Sequence, residues 1–282
     1  MTPRSPLFLT TAIEAVVRAG DLQLAHFGGS IRVDKKGAID LVTDVDVEVE
    51  RIFRAMIADR FPNHQVLAEE LGGSAEAPLG PCWVFDPIDG TTNYAHGLPI
   101  FCSTVALEID GVAAVAAVYD PTRRELFTAE RGGGAFLNGR VIRVSQARTL
   151  LDAMLVTGFP YDVHRRVGEI VGLFGEFVGR ARAVRRLGSA ALDLCYVAAG
   201  RLDGFWERDL KPWDIAGGSL IVQEAGGRVT NMEGAPFSSR GGEVLATNGF
   251  IHDAMLEVIR NFRPAPAMDG LLPARDTSSQ SQ

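Results

Sequence analysis

An octapeptide, DPIDGTTN, follows a short apolar run and carries two aspartates, Asp86 and Asp89, three positions apart. A buried strand that ends in carboxylates suits a divalent cation, because Mg²⁺ prefers hard oxygen ligands. Pro87 fixes the backbone between the aspartates, and Gly90 permits a sharp turn after them. Thr91 then begins a predicted helix, and the free amides of a helix start suit a phosphate. The octapeptide therefore predicts a site for a cation and a phosphate together.

Further carboxylates stand where they could join such a site, although each also has a simpler explanation. Glu69 and Glu70 follow a short predicted strand and, taken alone, are typical of a solvated loop. Asp46 stands three residues after Thr43, a spacing that also fits the capping box of a helix. Asp214 lies in the first turn of a predicted helix, where a carboxylate favours the helix dipole. Beside the octapeptide, Glu69 and Asp214 become candidate ligands, whereas both explanations of Asp46 stay open.

The first half of the chain mixes helices with antiparallel hairpins. Apolar residues at helical spacing predict a first helix that ends near Phe27, where Gly28 and Gly29 stop it. A second stripe of apolar residues predicts a helix that begins after Thr43. Short buried strands flank a loop rich in Gly, Ala and Pro at 71–81. Further strands are predicted at 102–109, 112–119 and 124–129.

From about Leu150 strands and helices alternate, which favours an α/β second half. The predicted strands are 153–157, 182–187, 204–207, 228–230 and 243–247. The predicted helices are 167–178, 189–199, 212–225 and 251–262. We therefore predict two subdomains, 1–149 with the metal-binding motif and 150–262, followed by a disordered tail, 263–282.

Composition and charge exclude several classes of protein. Of 282 residues, 46% are hydrophobic and 22% charged, which provides a sizeable core and excludes a disordered chain. The formal net charge of −7 argues against non-specific binding of nucleic acid. Cys82, Cys102 and Cys195 form no CxxC pair and indicate reduced, buried thiols in a cytoplasmic protein. We find no signal peptide, and no apolar stretch approaches the roughly 20 residues of a membrane span.

Four separated motifs resemble those of the inositol monophosphatase family, within the wider group of lithium-sensitive, magnesium-dependent sugar and nucleotide phosphatases. The motifs are DPIDGTTN, the acidic pair Glu69-Glu70, DLVTDVD at 40–46, and WDIAGG at 213–218 with EAGG at 224–227. The resemblance covers about residues 7 to 262. It implies a layered αβαβα sandwich of mixed α+β and α/β character, usually assembled as a homodimer.

The resemblance also implies which residues hold two to three Mg²⁺ ions. Glu69, Asp86 and the backbone carbonyl of Ile88 would hold the first ion. Asp86, Asp89 and Asp214 would hold the second, and Glu69 would reach a weaker third ion through water. Such a set is physically reasonable, because carboxylates that converge on one pocket repel each other unless cations lie among them.

The same resemblance implies a reaction without a side-chain nucleophile. Thr91, near Asp46, would orient the attacking water together with Glu69, and the metal ions would activate that water. The amides of Gly90 and Thr91 would receive the phosphate. Lys35 stands where the family places a lysine on a mobile loop near the site, and the next residue, also a lysine, fits this position equally well.

The residues on the substrate side are less clear from sequence. Ser189 and Glu207 match positions that contact the inositol ring in the family, and both could hydrogen-bond ring hydroxyls. A helix N-cap explains Ser189 equally well, and a surface strand end explains Glu207. His96 could approach the phosphate or be a structural histidine. The step Arg208-Asp209 departs from the small, often glycine-containing step of many family members.

The resemblance implies a Mg²⁺-dependent phosphomonoesterase, with inositol 1-phosphate as the first candidate substrate. Relatives with the same metal core hydrolyse histidinol phosphate, fructose 1,6-bisphosphate or 3′-phosphoadenosine 5′-phosphate, and the pocket around 158–166, 187–190 and 207–211 must discriminate among them. Some bacterial relatives instead act in RNA or transcription complexes independently of phosphatase activity. The negative net charge argues against RNA as a direct partner of this chain but leaves a protein partner open.

Overall fold

The structure, a computed structural model, describes residues 5–29, 33–35, 41–73 and 79–264. The α-helices in these ranges are α1 (Pro6–His26), α2 (Asp44–Arg60), α3 (Thr91–Ala95), α4 (Val167–Val178), α5 (Ala190–Ala198), α6 (Pro212–Glu224) and α7 (His252–Asn261). The strands are β1 (Val33–Lys35), β2 (Leu41–Thr43), β3 (Gln65–Ala68), β4 (Pro81–Asp89), β5 (Cys102–Ile109), β6 (Val112–Asp120), β7 (Glu125–Glu130), β8 (Gly134–Leu137), β9 (Arg140–Val141), β10 (Met154–Thr157), β11 (Ala183–Arg185), β12 (Gly204–Arg208), β13 (Arg228–Thr230) and β14 (Glu243–Thr247).

Two large sheets organise these strands. The first has seven strands in the order β3-β4-β5-β6-β7-β8-β9; β3 and β4 pair in parallel, and the other pairs are antiparallel. The second has five strands in the order β11-β10-β12-β14-β13. In it β10 pairs in parallel with β11 and β12, while β14 is antiparallel to both its neighbours. Strands β1 and β2 form a separate antiparallel pair.

The elements stack in five layers, which confirms the predicted αβαβα sandwich. Helices α1 and α2 cover the outer face of the seven-stranded sheet, α5 and α6 lie between the two sheets, and α4 and α7 cover the outer face of the five-stranded sheet. Four clusters of buried hydrophobic residues fill the spaces between layers, and three of them are large. Representative side chains are Val16, Phe53 and Trp83 in the first core, Phe127, Leu194 and Val244 in the second, and Leu155, Phe177 and Met255 in the third.

The ends of the first two helices agree with the sequence signals. Helix α1 ends at His26, and Gly28 beyond it adopts the left-handed conformation, with a φ of 77°. Helix α2 begins with a capping box, in which the Thr43 hydroxyl and the Asp46 carboxylate each bond to the other residue's backbone amide. This reciprocal pairing satisfies two amide groups that a helix start otherwise leaves without partners.

Several elements differ from their predicted bounds. Strand β4 extends through both aspartates of the octapeptide, whereas the sequence predicts its end at the preceding apolar run. Strands β1 and β2 are absent from the sequence prediction, since each has three residues. Residues 74–78 and most of the predicted tail, 265–282, lie outside the described residues.

The sequence also predicts the state of the three cysteines and the absence of a membrane span. The thiols of Cys82, Cys102 and Cys195 are free and buried, as predicted. None of the described helices is both long enough and apolar enough to cross a membrane.

Candidate active site

The octapeptide forms the last residues of β4, where the strand becomes irregular, and the first residues of α3. Strand β4 pairs regularly with β5 as far as Asp86, and the register then shifts before Asp89 pairs with Cys102. Pro87 lies in this bulge. Because proline has no backbone N–H, the interrupted strand pairing leaves no hydrogen-bond donor without a partner at this residue. Its carbonyl instead accepts hydrogen bonds from Gln23 Nε2 (2.7 Å) and Ser103 Oγ (2.6 Å). These two buried residues, which the sequence analysis missed, fix the bulge that carries the aspartates.

Gly90 ends the bulge and begins α3 in the left-handed conformation, with a φ of 100°. A Cβ at this position would come within 2.9 Å of the Ile100 carbonyl oxygen and 3.2 Å of the Gly188 carbonyl oxygen, so only glycine fits. Thr91, the first residue of the helix, is buried and donates a hydrogen bond from Oγ1 to the Ile88 carbonyl at 2.8 Å. Sequence reasoning therefore located both the turn and the helix start correctly.

Asp89 faces the start of α5, which belongs to the second half of the chain. Its Oδ2 accepts hydrogen bonds from Ser189 Oγ (2.7 Å) and from the Ala191 amide (2.7 Å). Its Oδ1 accepts a longer bond from the Ala190 amide at 3.3 Å. Burial raises the pKa of Asp89 to about 6, and these hydrogen bonds oppose the rise because they stabilise the carboxylate.

The charges of the other predicted ligands act on Asp86. Asp86 is buried, and its Oδ1 has no hydrogen-bond partner among the residues that the structure describes. Burial, together with the charges of Glu69, Asp89 and Asp214, raises the pKa of Asp86 well above its ordinary value. Asp214 Oδ2 accepts a bond from the Lys211 amide at 2.6 Å, and burial together with the charge of Asp89 raises its pKa as well. The structure thus brings the four predicted carboxylates into one electrostatic group.

A further buried carboxylate, Glu50 of α2, supports the turn that carries Glu69. Glu50 accepts hydrogen bonds from the amides of Glu70 (2.7 Å) and Leu71 (3.1 Å), and it pairs with Arg54 Nε at 2.8 Å. No local pattern in the sequence indicates this role, because the contact spans about twenty positions.

Asp46 lies at the edge of this group and serves the helix cap at the same time. Its Oδ2 accepts bonds from the Thr43 amide (2.7 Å) and the Thr43 hydroxyl (2.5 Å). Its negative charge also contributes to the raised pKa of Asp86 and helps to raise the pKa of Tyr94 to about 12. The two explanations that the sequence left open for Asp46 are therefore compatible in the structure.

The donor chemistry of the group fits a hard cation. Within the described ranges, no three His, Cys, Asp or Glu side chains stand close enough together to form a complete metal site. Asp89 and Asp214 instead direct oxygens toward backbone amides. The unpartnered Oδ1 of buried Asp86 and the mutually raised pKa values are the features that a divalent cation would relieve. The residues that would hold it are Glu69, Asp86, Ile88, Asp89 and Asp214.

The predicted substrate-side residues differ in their surroundings. Ser189 is buried and caps α5, accepting from the Leu192 amide at 3.4 Å while it donates to Asp89. Glu207 lies at the end of β12, and burial raises its pKa to about 8 although the Arg186 charge opposes the rise. Its assignment to a substrate hydroxyl stays a prediction.

The structure gives less about three further predicted positions, His96, Asp209 and Lys35. His96 is exposed, and its Nδ1 lies 2.8 Å from the Thr92 carbonyl oxygen. Asp209 has a φ of 62°, in the left-handed region that favours glycine. Lys35 belongs to β1, but the placement of its side chain lies outside the described residues, as do all of Lys36 and Asp40.

Comparison with known proteins agrees with these motifs. Residues 7–263 match the model of the inositol monophosphatase family. The chain is 43% identical over 253 residues to an inositol-1-monophosphatase of Synechocystis sp., which covers 89% of this chain and 88% of that protein. It is 41% identical over 255 residues to the Nus factor SuhB of Escherichia coli, covering 90% of this chain and 96% of that protein. The structure of an inositol monophosphatase from Anabaena superposes with a TM-score of 0.83 at 40% identity, covering 92% and 97% of the two chains.

Proposed function

The chain belongs to the inositol monophosphatase family, and from this premise we propose that it is a Mg²⁺-dependent phosphomonoesterase acting on a small phosphorylated polyol. The observation that carries the proposal is that the buried carboxylates of Asp86 and Asp89 lie within the electrostatic reach of Glu69 and Asp214, and that the pKa values of all three aspartates are raised. Inositol 1-phosphate is the first candidate substrate, in agreement with the names of two relatives.

The proposed assignment of ligands follows the carboxylate positions. Glu69, Asp86 and the Ile88 carbonyl would hold one ion, and Asp86, Asp89 and Asp214 would hold another. A bound Mg²⁺ supplies positive charge that acidifies a water molecule and stabilises the departing oxygen. A third ion, reached by Glu69 through water, is part of the same proposal.

The protein's own groups orient the reactants around these ligands. The Thr91 hydroxyl donates its proton to the Ile88 carbonyl, so its lone pairs can accept a hydrogen bond from the attacking water. Glu69 orients that water together with Thr91, and Asp46 stabilises the adjoining segment through its bonds to Thr43. The amides of Gly90 and Thr91 bind the phosphate oxygens, and Lys35, at the end of β1, adds positive charge.

Phosphate release from a small panel tests the proposal. The panel contains inositol 1-phosphate, histidinol phosphate, fructose 1,6-bisphosphate and 3′-phosphoadenosine 5′-phosphate, each assayed with and without Mg²⁺ and LiCl. We expect Mg²⁺-dependent, lithium-sensitive release, with inositol 1-phosphate favoured by about a hundredfold, the discrimination that two or three lost hydrogen bonds provide. No release from any substrate, with Mg²⁺ binding demonstrated by calorimetry, would contradict the proposal.

A second candidate function is a binding role in a transcription complex, which the name of the 41%-identical Nus factor SuhB favours. The variant Asp89→Asn distinguishes the two functions in a strain whose own copy of the gene is deleted. If the protein acts as an enzyme, this variant fails to restore the phenotype of the wild-type gene. If it acts by binding, the variant restores that phenotype.

We also propose that the protein forms a homodimer, as its family resemblance implies. Light scattering coupled to size-exclusion chromatography tests this directly, since the monomer has a mass of 30.3 kDa. A mass near that of one chain at micromolar concentration would contradict the proposal.

A further inference from the structure

Gly158 and Glu207 lie side by side because β10 and β12 pair in parallel. The register places Thr157 opposite Trp206, and the Thr157 hydroxyl donates to the Trp206 carbonyl at 2.6 Å. The residue that follows each of these two is therefore at the same end of the sheet. This end faces the metal-binding group, since the charge of Asp89 acts on Glu207.

The Glu207 carboxylate occupies the space that a side chain at Gly158 would need. A Cβ added to Gly158 would overlap both carboxylate oxygens and the carboxylate carbon of Glu207. The Gly158 backbone therefore lies directly against this carboxylate. Gly158 does not have a positive φ, so its backbone conformation is open to any residue. The need for glycine at this position comes from the Glu207 carboxylate, which fills the space beside the Gly158 Cα. We call this space the Gly158 niche.

The Glu207 carboxylate lies among charges of both signs. Arg186 attracts it, whereas Asp89, Asp209 and the buried Asp193 repel it. Glu207 also lines a cavity of about 30 Å³, together with the apolar Ile170 and the charged Arg208. A carboxylate displaced by a side chain at position 158 would move among these groups and away from its present position.

We propose that Gly158 determines substrate specificity, because its missing side chain lets the Glu207 carboxylate stand where it accepts hydrogen bonds from the hydroxyls of a polyol phosphate. This inference rests on the proposed function and deepens it. Gly158 acts through Glu207 and does not touch the reacting phosphate, so its replacement changes the choice of substrate more than the chemistry of hydrolysis.

The variant Gly158→Ala tests the inference with two substrates. Inositol 1-phosphate presents ring hydroxyls, whereas p-nitrophenyl phosphate has none. We expect the ratio of kcat/KM for the first substrate to kcat/KM for the second to fall at least about tenfold in the variant, the usual effect of losing a hydrogen bond to a charged group. Thermal unfolding should change little, since the displaced group is the flexible end of a side chain.

Two further variants make the test specific to the niche. In Glu207→Asp the shorter side chain withdraws the carboxylate, so adding Gly158→Ala to this background should lower the ratio by less than threefold. Gly175→Ala is the matched control, because a Cβ at Gly175 meets no atom within 4 Å. This control should keep the wild-type ratio.

The outcomes separate this inference from the proposed function. A wild-type protein that hydrolyses neither substrate would overturn both. A wild-type protein that hydrolyses inositol 1-phosphate, with the same substrate ratio in Gly158→Ala, would overturn the role of Gly158 alone. An equal loss of Gly158→Ala activity on both substrates would also overturn it, because a purely structural defect predicts that result.

Discussion

At the scale of single residues, Asp214 is the ligand that the second half of the chain contributes to the proposed metal site. We expect Asp214→Asn to lower turnover by at least about 100-fold. Mutation of a residue that only hydrogen-bonds to a metal ligand already lowers metal affinity or activity by roughly 10–100-fold, and loss of a ligand should cost more. The fold should survive, because the amide oxygen of asparagine can still accept from the Lys211 amide. Phosphate release against Mg²⁺ concentration measures the loss.

Asp253→Asn is the control for this prediction. Asp253 also lies in the first turn of a helix, but its side chain is 83% exposed and faces Arg228. This variant should keep wild-type turnover. Wild-type turnover of Asp214→Asn at saturating Mg²⁺ would show that the ligand assignment is wrong.

Ser189 leads to a second prediction, which concerns metal affinity. Its hydroxyl donates to Asp89 at 2.7 Å, so Ser189→Ala should weaken Mg²⁺ binding roughly tenfold, the usual effect of one hydrogen bond to a charged group. The same variant removes the cap of α5 and should lower the free energy of unfolding by about 1 kcal/mol. Isothermal calorimetry with Mg²⁺ measures the affinity.

The conservative variant Ser189→Thr keeps a hydroxyl and should restore most of the affinity. An unchanged Mg²⁺ affinity in Ser189→Ala would mean that the amides of Ala190 and Ala191 suffice to hold Asp89. In that case the substrate contact that the sequence suggested would be the better explanation of Ser189.

Local motifs predicted the site residues that lie within or beside a recognisable pattern. The octapeptide located Asp86, Asp89 and the turn at Gly90. The residues that hold this pattern in place could not be found in the same way. Gln23 and Ser103 contact Pro87 from 64 and 16 positions away, and such contacts leave no periodic signal in a single sequence.

At the scale of elements, boundaries with a chemical signal were predictable, whereas the short strands β1 and β2 were missed. The Thr43 capping box and the Pro212 start place α2 and α6 within a residue or two of their predicted bounds. Strand β4 continues past its apolar run because Gln23 and Ser103 supply donors where the ladder breaks. Strands β1 and β2 have three residues each, too few to show a period of two.

His252, at the start of α7, makes the stability of the protein dependent on pH. It is fully buried between two threonine hydroxyls: Thr230 Oγ1 lies 3.0 Å from Nε2, and Thr247 Oγ1 lies 2.9 Å from Nδ1. Thr230 donates to the Asn231 carbonyl, and Thr247 accepts from the Gly249 amide. This pattern suits a neutral imidazole that donates through Nε2 and accepts through Nδ1.

Burial and the charge of Arg228 lower the pKa of His252 from 6.5 to about 4. The unfolded chain therefore binds a proton between these values while the folded protein does not, and the stabilisation present above pH 6.5 is lost as the pH falls toward 4. We expect this residue to remove about 2 kcal/mol of unfolding free energy between pH 7 and pH 5.

Urea unfolding of the wild-type protein and of His252→Gln, each at pH 7 and pH 5, isolates this effect. Buried carboxylates such as Asp86 respond to pH in both proteins, so their contribution cancels in the difference. The wild-type protein should lose more stability than the variant. Equal losses in the two proteins would show that His252 does not titrate between its folded and unfolded values.

At the scale of the whole molecule, one buried layer connects the two halves of the chain. Its core joins Phe127 of β7 to Leu194 of α5 and to Val244 of β14. Helix α6 approaches the first sheet closely, since a Cβ at Gly217 would lie 2.7 Å from Thr104 Oγ1. The sequence predicts a boundary between two subdomains at residues 149 and 150. Whether the two subdomains also fold separately can be decided by an unfolding experiment.

Because the central core is shared, we expect the halves to unfold together although their sheets are separate. Trp83 lies in β4 and Trp206 in β12, and both are buried, so each reports on one sheet. Urea unfolding of protein labelled with 5-fluorotryptophan, followed by ¹⁹F NMR, should give the same midpoint for both residues. Single substitutions to phenylalanine assign the signals.

Mg²⁺ should raise both midpoints equally, because its proposed ligands Asp86 and Asp214 come from both halves of the chain. Midpoints that differ by more than about 0.5 M urea would instead show that the two subdomains are separate folding units. Such a difference corresponds to roughly 1 kcal/mol for a domain of this size.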